Sequence, residues 1–73
     1  MVRYYIGEKK EITSYHYETF VIKNGDKLHV AQTYDNKFFC DHEKGSGVML
    51  HKTEVGTLQE LRTHKLEYIE TYY

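Results

Sequence analysis

Apolar and polar positions alternate most regularly between Tyr17 and Asp41. The runs YETFVIK, KLHVAQTY and FFCD are separated by Asn24-Gly25-Asp26 and Asp35-Asn36-Lys37. Period-two alternation bounded by such residues predicts three antiparallel strands joined by two tight turns. Asn-Gly between apolar runs is a strong hairpin signal, because both residues tolerate positive φ. A one-residue slip flips every side chain, so the buried face should decide the register. An odd-length connection with Gly25 in the left-handed region puts Phe20, Ile22, Leu28 and Val30 on one face. Thr19, Val21, Lys27, His29 and Ala31 then share the other. At the second turn, an odd loop brings Phe38 and Cys40 into the core beside Val30 and Tyr34, and an even loop brings Phe39. The first arrangement is the expectation.

The flanking segments extend this pattern. Val2 to Ile6 alternates, with Val2, Tyr4 and Ile6 on one face and Arg3 and Tyr5 on the other, which is a strand signal. Gly7 to Lys10 reads as a turn. Ile12 to Lys23 is too long for one uniform strand, and its apolar parity changes between Tyr17 and Phe20. A bulge between Ser14 and Thr19 reconciles the two halves. His42 to Gly47, with two glycines around Ser46, reads as a flexible loop. Val48 to His51 reads as a short further strand. Thr57-Leu58-Gln59-Glu60 fits a capping box, with Leu58 and Leu61 on one face of a short helix near residues 57–64. Residues 66–73, LEYIETYY, favour a final strand over a continued helix. Paired with Val2–Ile6, that strand would close or nearly close a small barrel.

These elements predict one α+β domain over residues 1–73: an antiparallel β-meander or partly open barrel of four or five strands, with one short helix near the C-terminus and a closing C-terminal strand. Length leaves no room for two cores. One cysteine, Cys40, excludes an intramolecular disulfide framework and suggests a reducing compartment. No run approaches the roughly 20 apolar residues of a membrane span. The N-terminus reaches charge at Arg3, which argues against a signal peptide. A cytoplasmic location is the expectation.

Charge and composition narrow the chemistry. The net charge of −1 gives no global steering toward nucleic acid, although protonation of all five histidines would move it to +4. Cys40 and His42 point to one face of a strand, and with His51 and His64 they are the candidate zinc ligands. Their spacing matches no standard ligand pattern, so neither a metal nor any other cofactor is expected. Catalysis is not expected either. Cys40 lies in an aromatic strand where burial makes a thiol inert. Ser46 in Lys44-Gly45-Ser46-Gly47 lacks an oxyanion-type helix start, and that loop lacks the lysine and hydroxyl of a phosphate-binding loop.

Eight tyrosines and no tryptophan or proline stand out. Tyrosine suits strands and also interfaces. Tyr5, Tyr15, Tyr17 and Tyr73 are expected at the surface, with Glu67 and Glu70, and also Glu54 and Glu60, supplying negative charge. The expected function is a non-catalytic protein-binding module. It would act as an inhibitor or regulator that occludes or sequesters a larger protein, of the kind phages and mobile elements encode, with a homodimer through an edge strand as a further expectation. The alternative is single-strand nucleic-acid binding. Tyr4, Tyr5, Tyr15, Tyr17, Phe38 and Phe39 would stack on bases, and Lys9, Lys10, Lys23, Lys27 and Lys37 would meet phosphates. Acidic residues among those lysines weigh against it.

Overall fold

The computed structural model describes residues 1–63. It contains β1 (Val2–Tyr5), β2 (Lys10–Thr13), β3 (Thr19–Ile22), β4 (Lys27–Thr33), β5 (Lys37–His42), β6 (Gly45–His51), a 3₁₀ turn (Lys52–Glu54) and β7 (Val55–Gly56). A helix occupies residues 58–63. The main sheet is antiparallel, in the order β6-β5-β4-β1-β7. β2 and β3 form a separate two-stranded sheet. No barrel closes among the described residues.

The core has two sources. The main sheet contributes Tyr5, Leu28, Val30, Cys40, Val48, Leu50 and Val55, and the β2–β3 hairpin adds Ile22 with Ile12 and Phe20 packed alongside. Burial of each aliphatic side chain contributes about 1.5–3 kcal/mol. The hairpin therefore lies across one face of the main sheet and shields it from water. The expected inward set of Phe20, Ile22, Leu28 and Val30 is found, but not through the expected pairing. β3 and β4 belong to different sheets. Asp26 N–H donates to Lys23 O at 3.1 Å, so a tight turn does form there. Gly25 has φ 96°, while Asn24 is not in the positive-φ region. A turn with positive φ only at its third residue splays the flanking strands instead of matching their twist. The chain uses Asn24-Gly25 to pass from one sheet to the other.

The second turn also combines an expected outcome with a different cause. Tyr34 N–H donates to Lys37 O, which makes the loop the even one, Asp35-Asn36. Yet Val30 faces Cys40, and Phe38 packs on the core. The register slips between Val30 and Gln32, and this bulge restores the parity that the loop alone would reverse. Tyr34 stays exposed.

Three further expectations are corrected. The Ile12–Lys23 segment is not a bulged strand but a complete reversal, with Ile12 opposite Phe20 and Thr13 opposite Thr19. Gly45 to Gly47 is not a flexible loop but the start of β6, reached through the two-residue turn Glu43-Lys44. Glycine is required there because a Cβ on Gly45 would stand 2.6 Å from Phe20 Cε1. The edge position beside β1 is taken by β7, through Tyr4–Gly56 and Tyr5–Val55 pairs. The closing strand expected over 66–73 lies outside the described residues. The capping box is present: Glu60 N–H donates to Thr57 Oγ1 at 3.2 Å, and Thr57 N–H donates to Glu60 Oε1 at 3.1 Å. Leu61 is buried, but its expected partner Leu58 is exposed.

Candidate functional site

The tip of the β2–β3 hairpin is built around Ser14. Ser14 N–H donates to Glu18 O at 2.8 Å, and Tyr17 N–H donates to Ser14 O at 3.0 Å. The buried Ser14 hydroxyl oxygen accepts from His16 N–H and Glu18 N–H, each at 3.2 Å. Three residues, Tyr15-His16-Tyr17, thus span the reversal. A loop of this length ends on a left-handed residue. That residue is Tyr17, with φ 63°. For a side chain other than glycine this conformation costs about 1 kcal/mol. Tyr17 is also 90% exposed, so its ring recovers little by packing.

The tip does not end at the edge of the main sheet. Tyr15 N–H donates to Gly47 O at 2.9 Å, on the outer edge of strand β6. Gly47 is the extra residue at a register slip, since Cys40 faces Val48 and Asp41 faces Ser46. Its φ is 78°, and a Cβ there would approach Phe39 Cζ and Tyr15 Cβ at 3.3 Å. The Tyr15 ring then meets Phe39 edge-on, with centroids 5.5 Å apart and planes at 67°. Phe38 and Cys40 face the core, so by alternation Phe39 faces away from it. The hairpin covers one face of the sheet and hooks its tip over the β6 edge onto the other.

A groove of about 380 Å³ results, lined by Thr13, Ser14, Tyr15, Tyr17, Gly47 and Met49. None of these side chains carries a formal charge. Tyr15 and Met49 are exposed along with Tyr17. Sequence reasoning found the two tyrosines and missed Met49 and Gly47. Met49 was legible in principle, because Val48 and Leu50 on either side of it are buried. The groove itself depends on the hook of the tip, which has no local sequence signal.

Tyr5 does not join this surface. It is fully buried, which corrects the expected exposure. Its partner Val55 is a core residue, so the β1 face bearing Tyr5 and Arg3 turns inward, with Arg3 opposite Leu28. The Tyr5 hydroxyl donates to Glu8 O and lies 3.5 Å from Glu54 Oε2. Burial, then the nearby Glu54 carboxylate, pushes its pKa up to about 12. Glu54 forms an ion pair with Lys10, so these two are committed to each other. Phe38, a candidate for base stacking, packs on the core with the Lys52 ammonium 5.5 Å from its ring centroid. Tyr73, Glu67 and Glu70 lie outside the described residues.

Cys40 and His42 do share the inward face, but both are absorbed by packing. Burial, then Asp41, pushes the Cys40 thiol up to about 11. His42 Nε2 is 2.8 Å from Asp26 Oδ2, and His42 Nδ1 accepts from Lys44 N–H at 3.1 Å. Phe20 stacks on the imidazole at 4.8 Å. Both ring nitrogens are occupied within the protein. His51 is exposed, and its Nδ1 accepts from Thr53 N–H at the 3₁₀ turn. Among the described residues no three His, Cys, Asp or Glu side chains converge as a metal site, and His64 lies outside them. Among the described residues no helix is long and apolar enough to cross a membrane.

No family model, curated protein or solved structure matches this chain.

Proposed function

We propose that the protein is a non-catalytic binding module that contacts a larger protein through the hooked hairpin tip. The observation that carries this reading is Tyr17: a large aromatic side chain held in a costly backbone conformation and left 90% exposed. Tyr15 and Met49 extend the same surface around the groove. Tyrosine at a rigid, partly apolar surface is a frequent interface anchor, because it buries much area at little rotamer cost. Occlusion or sequestration of the partner, as an inhibitor or regulator would do, is the mode of action proposed.

The test is capture from the lysate of the native host with the tagged protein, with and without nuclease. The reading expects one protein in near-stoichiometric amount, insensitive to nuclease and lost with a Tyr15→Ala/Tyr17→Ala double variant. Loss of all captured material after nuclease would overturn it in favour of single-strand nucleic-acid binding.

A further inference from the structure

We infer that the hairpin-tip groove takes a basic peptide segment, seating a lysine or arginine side chain of the partner against Tyr15 and Tyr17. The inference rests on the protein-binding reading above and names the chemistry of the partner.

Charge distribution carries it. Beyond Lys10, the first residue of β2 at the base of the hairpin, residues 11–22 hold two glutamates, one histidine and no lysine or arginine. Ten basic residues are spread over the rest of a chain of 73, so this stretch differs in charge from its surroundings. Both glutamates are exposed. Glu18 follows Tyr17 directly and closes the turn through its backbone. Glu11 is two residues from Thr13, so the two side chains leave the same face of β2. Lys10 and Lys23 adjoin the stretch at the base of the hairpin, the end opposite the tip, and Lys10 is drawn to Glu54. The sheet side of the groove is Gly47 and Met49, without charge.

Aromatic faces beside carboxylates attract cations. The ring quadrupole of tyrosine stabilises an ammonium or guanidinium over its face, and Glu18 and Glu11 add Coulombic attraction. A nucleic-acid backbone meets the opposite situation, because its phosphates would approach two glutamates with no lysine or arginine between residues 11 and 22 to neutralise them, and Lys10 at the hairpin's base is paired with Glu54. Met49 provides a deformable apolar floor for the aliphatic stem of the incoming side chain.

The experiment titrates the full chain with a peptide of alternating glycine and arginine, followed through backbone amide NMR signals. Matched glycine–glutamine and glycine–glutamate peptides and an oligothymidylate serve as comparisons. The arginine peptide is expected to shift the amides of Tyr15, His16, Tyr17, Gly47 and Met49, and the glutamate peptide to leave them in place. Tyr17→Gly should weaken the arginine peptide about tenfold, and Glu18→Gln about threefold. Equal binding of the glutamine peptide, tighter binding of the oligothymidylate, or shifts that avoid the groove would overturn the inference. A partner captured at full strength by the Glu18→Gln/Glu11→Gln variant overturns this charge assignment alone. Failure to capture any nuclease-resistant protein overturns the reading beneath it.

Discussion

His42 Nε2 stands 2.8 Å from Asp26 Oδ2, and this contact ties the passage between the two sheets to the turn between β5 and β6. Lys44 N–H occupies Nδ1, so the ring hydrogen sits on Nε2 and points at Asp26. Lys23 N–H reaches the same Oδ2 at 3.1 Å. One oxygen therefore serves two donors. Asp26→Asn can present its amide oxygen to both, whereas Asp26→Ala leaves a buried imidazole N–H unpaired. Urea unfolding should show a loss of about 2 kcal/mol for Asp26→Ala and a clearly smaller loss for Asp26→Asn. Equal losses would contradict the shared-oxygen account.

Close packing between the hairpin and the main sheet makes Gly45 sensitive. A Cβ at that position would meet Phe20 Cε1 at 2.6 Å, and Phe20 is held against His42. Gly45→Ala should cost about 1–3 kcal/mol. In a Phe20→Leu background the added methyl group should cost less, because the obstructing ring is gone. A double-mutant cycle measures that coupling.

Titration of Tyr5 and of Glu54 gives a pH signature at both ends. Burial opposes the Glu54 carboxylate, but the Lys10 ammonium, His51 N–H and Tyr5 hydroxyl more than offset it and hold its pKa below the usual range. A lowered folded-state pKa contributes stability above the unfolded pKa, and that contribution is lost as pH falls through the folded value. Tyr5 behaves oppositely. Its contribution is complete below its ordinary value of 10.0 and is lost as pH rises toward about 12. Glu54→Gln should flatten the acid limb of a stability–pH curve, and Tyr5→Phe the alkaline limb.

Cys40 should react with a thiol reagent only on unfolding. It is fully buried, and its pKa is pushed from 9.0 to about 11. At pH 8 the native protein should label at the rate of opening, and denaturant should release the full reactivity. Fast labelling of the native state would contradict the packing described.

Several features of the fold are written locally, and those were legible. Alternation identified Phe20, Ile22, Leu28, Val30, Phe38 and Cys40 as inward residues. The Thr57–Glu60 capping box follows from its own four residues. The reversal at Ser14–Glu18 was not legible, because its left-handed position holds Tyr17 where glycine or asparagine would have announced it. Asn24-Gly25 announced a turn, but whether a turn pairs its strands or splays them depends on both central φ angles. Gly45 and Gly47 resembled a loop because the rings that require them to be small, Phe20, Tyr15 and Phe39, are distant in sequence. β7 is two residues long and has no period to detect. Tyr5 was misplaced because its burial is set by β4 and β7, not by β1.

The most direct test of the tip as the binding surface is Tyr17→Gly, measured by thermal melting and by partner capture on one preparation. Glycine adopts the left-handed conformation without strain, so stability should be unchanged or raised by up to about 1 kcal/mol. That corresponds to a Tm up to about 4–8 °C higher for a domain this small. Capture of the partner should be lost. A Tm lowered by several degrees would assign Tyr17 a structural role, and capture at the wild-type level with an intact fold would remove the tip from the interface.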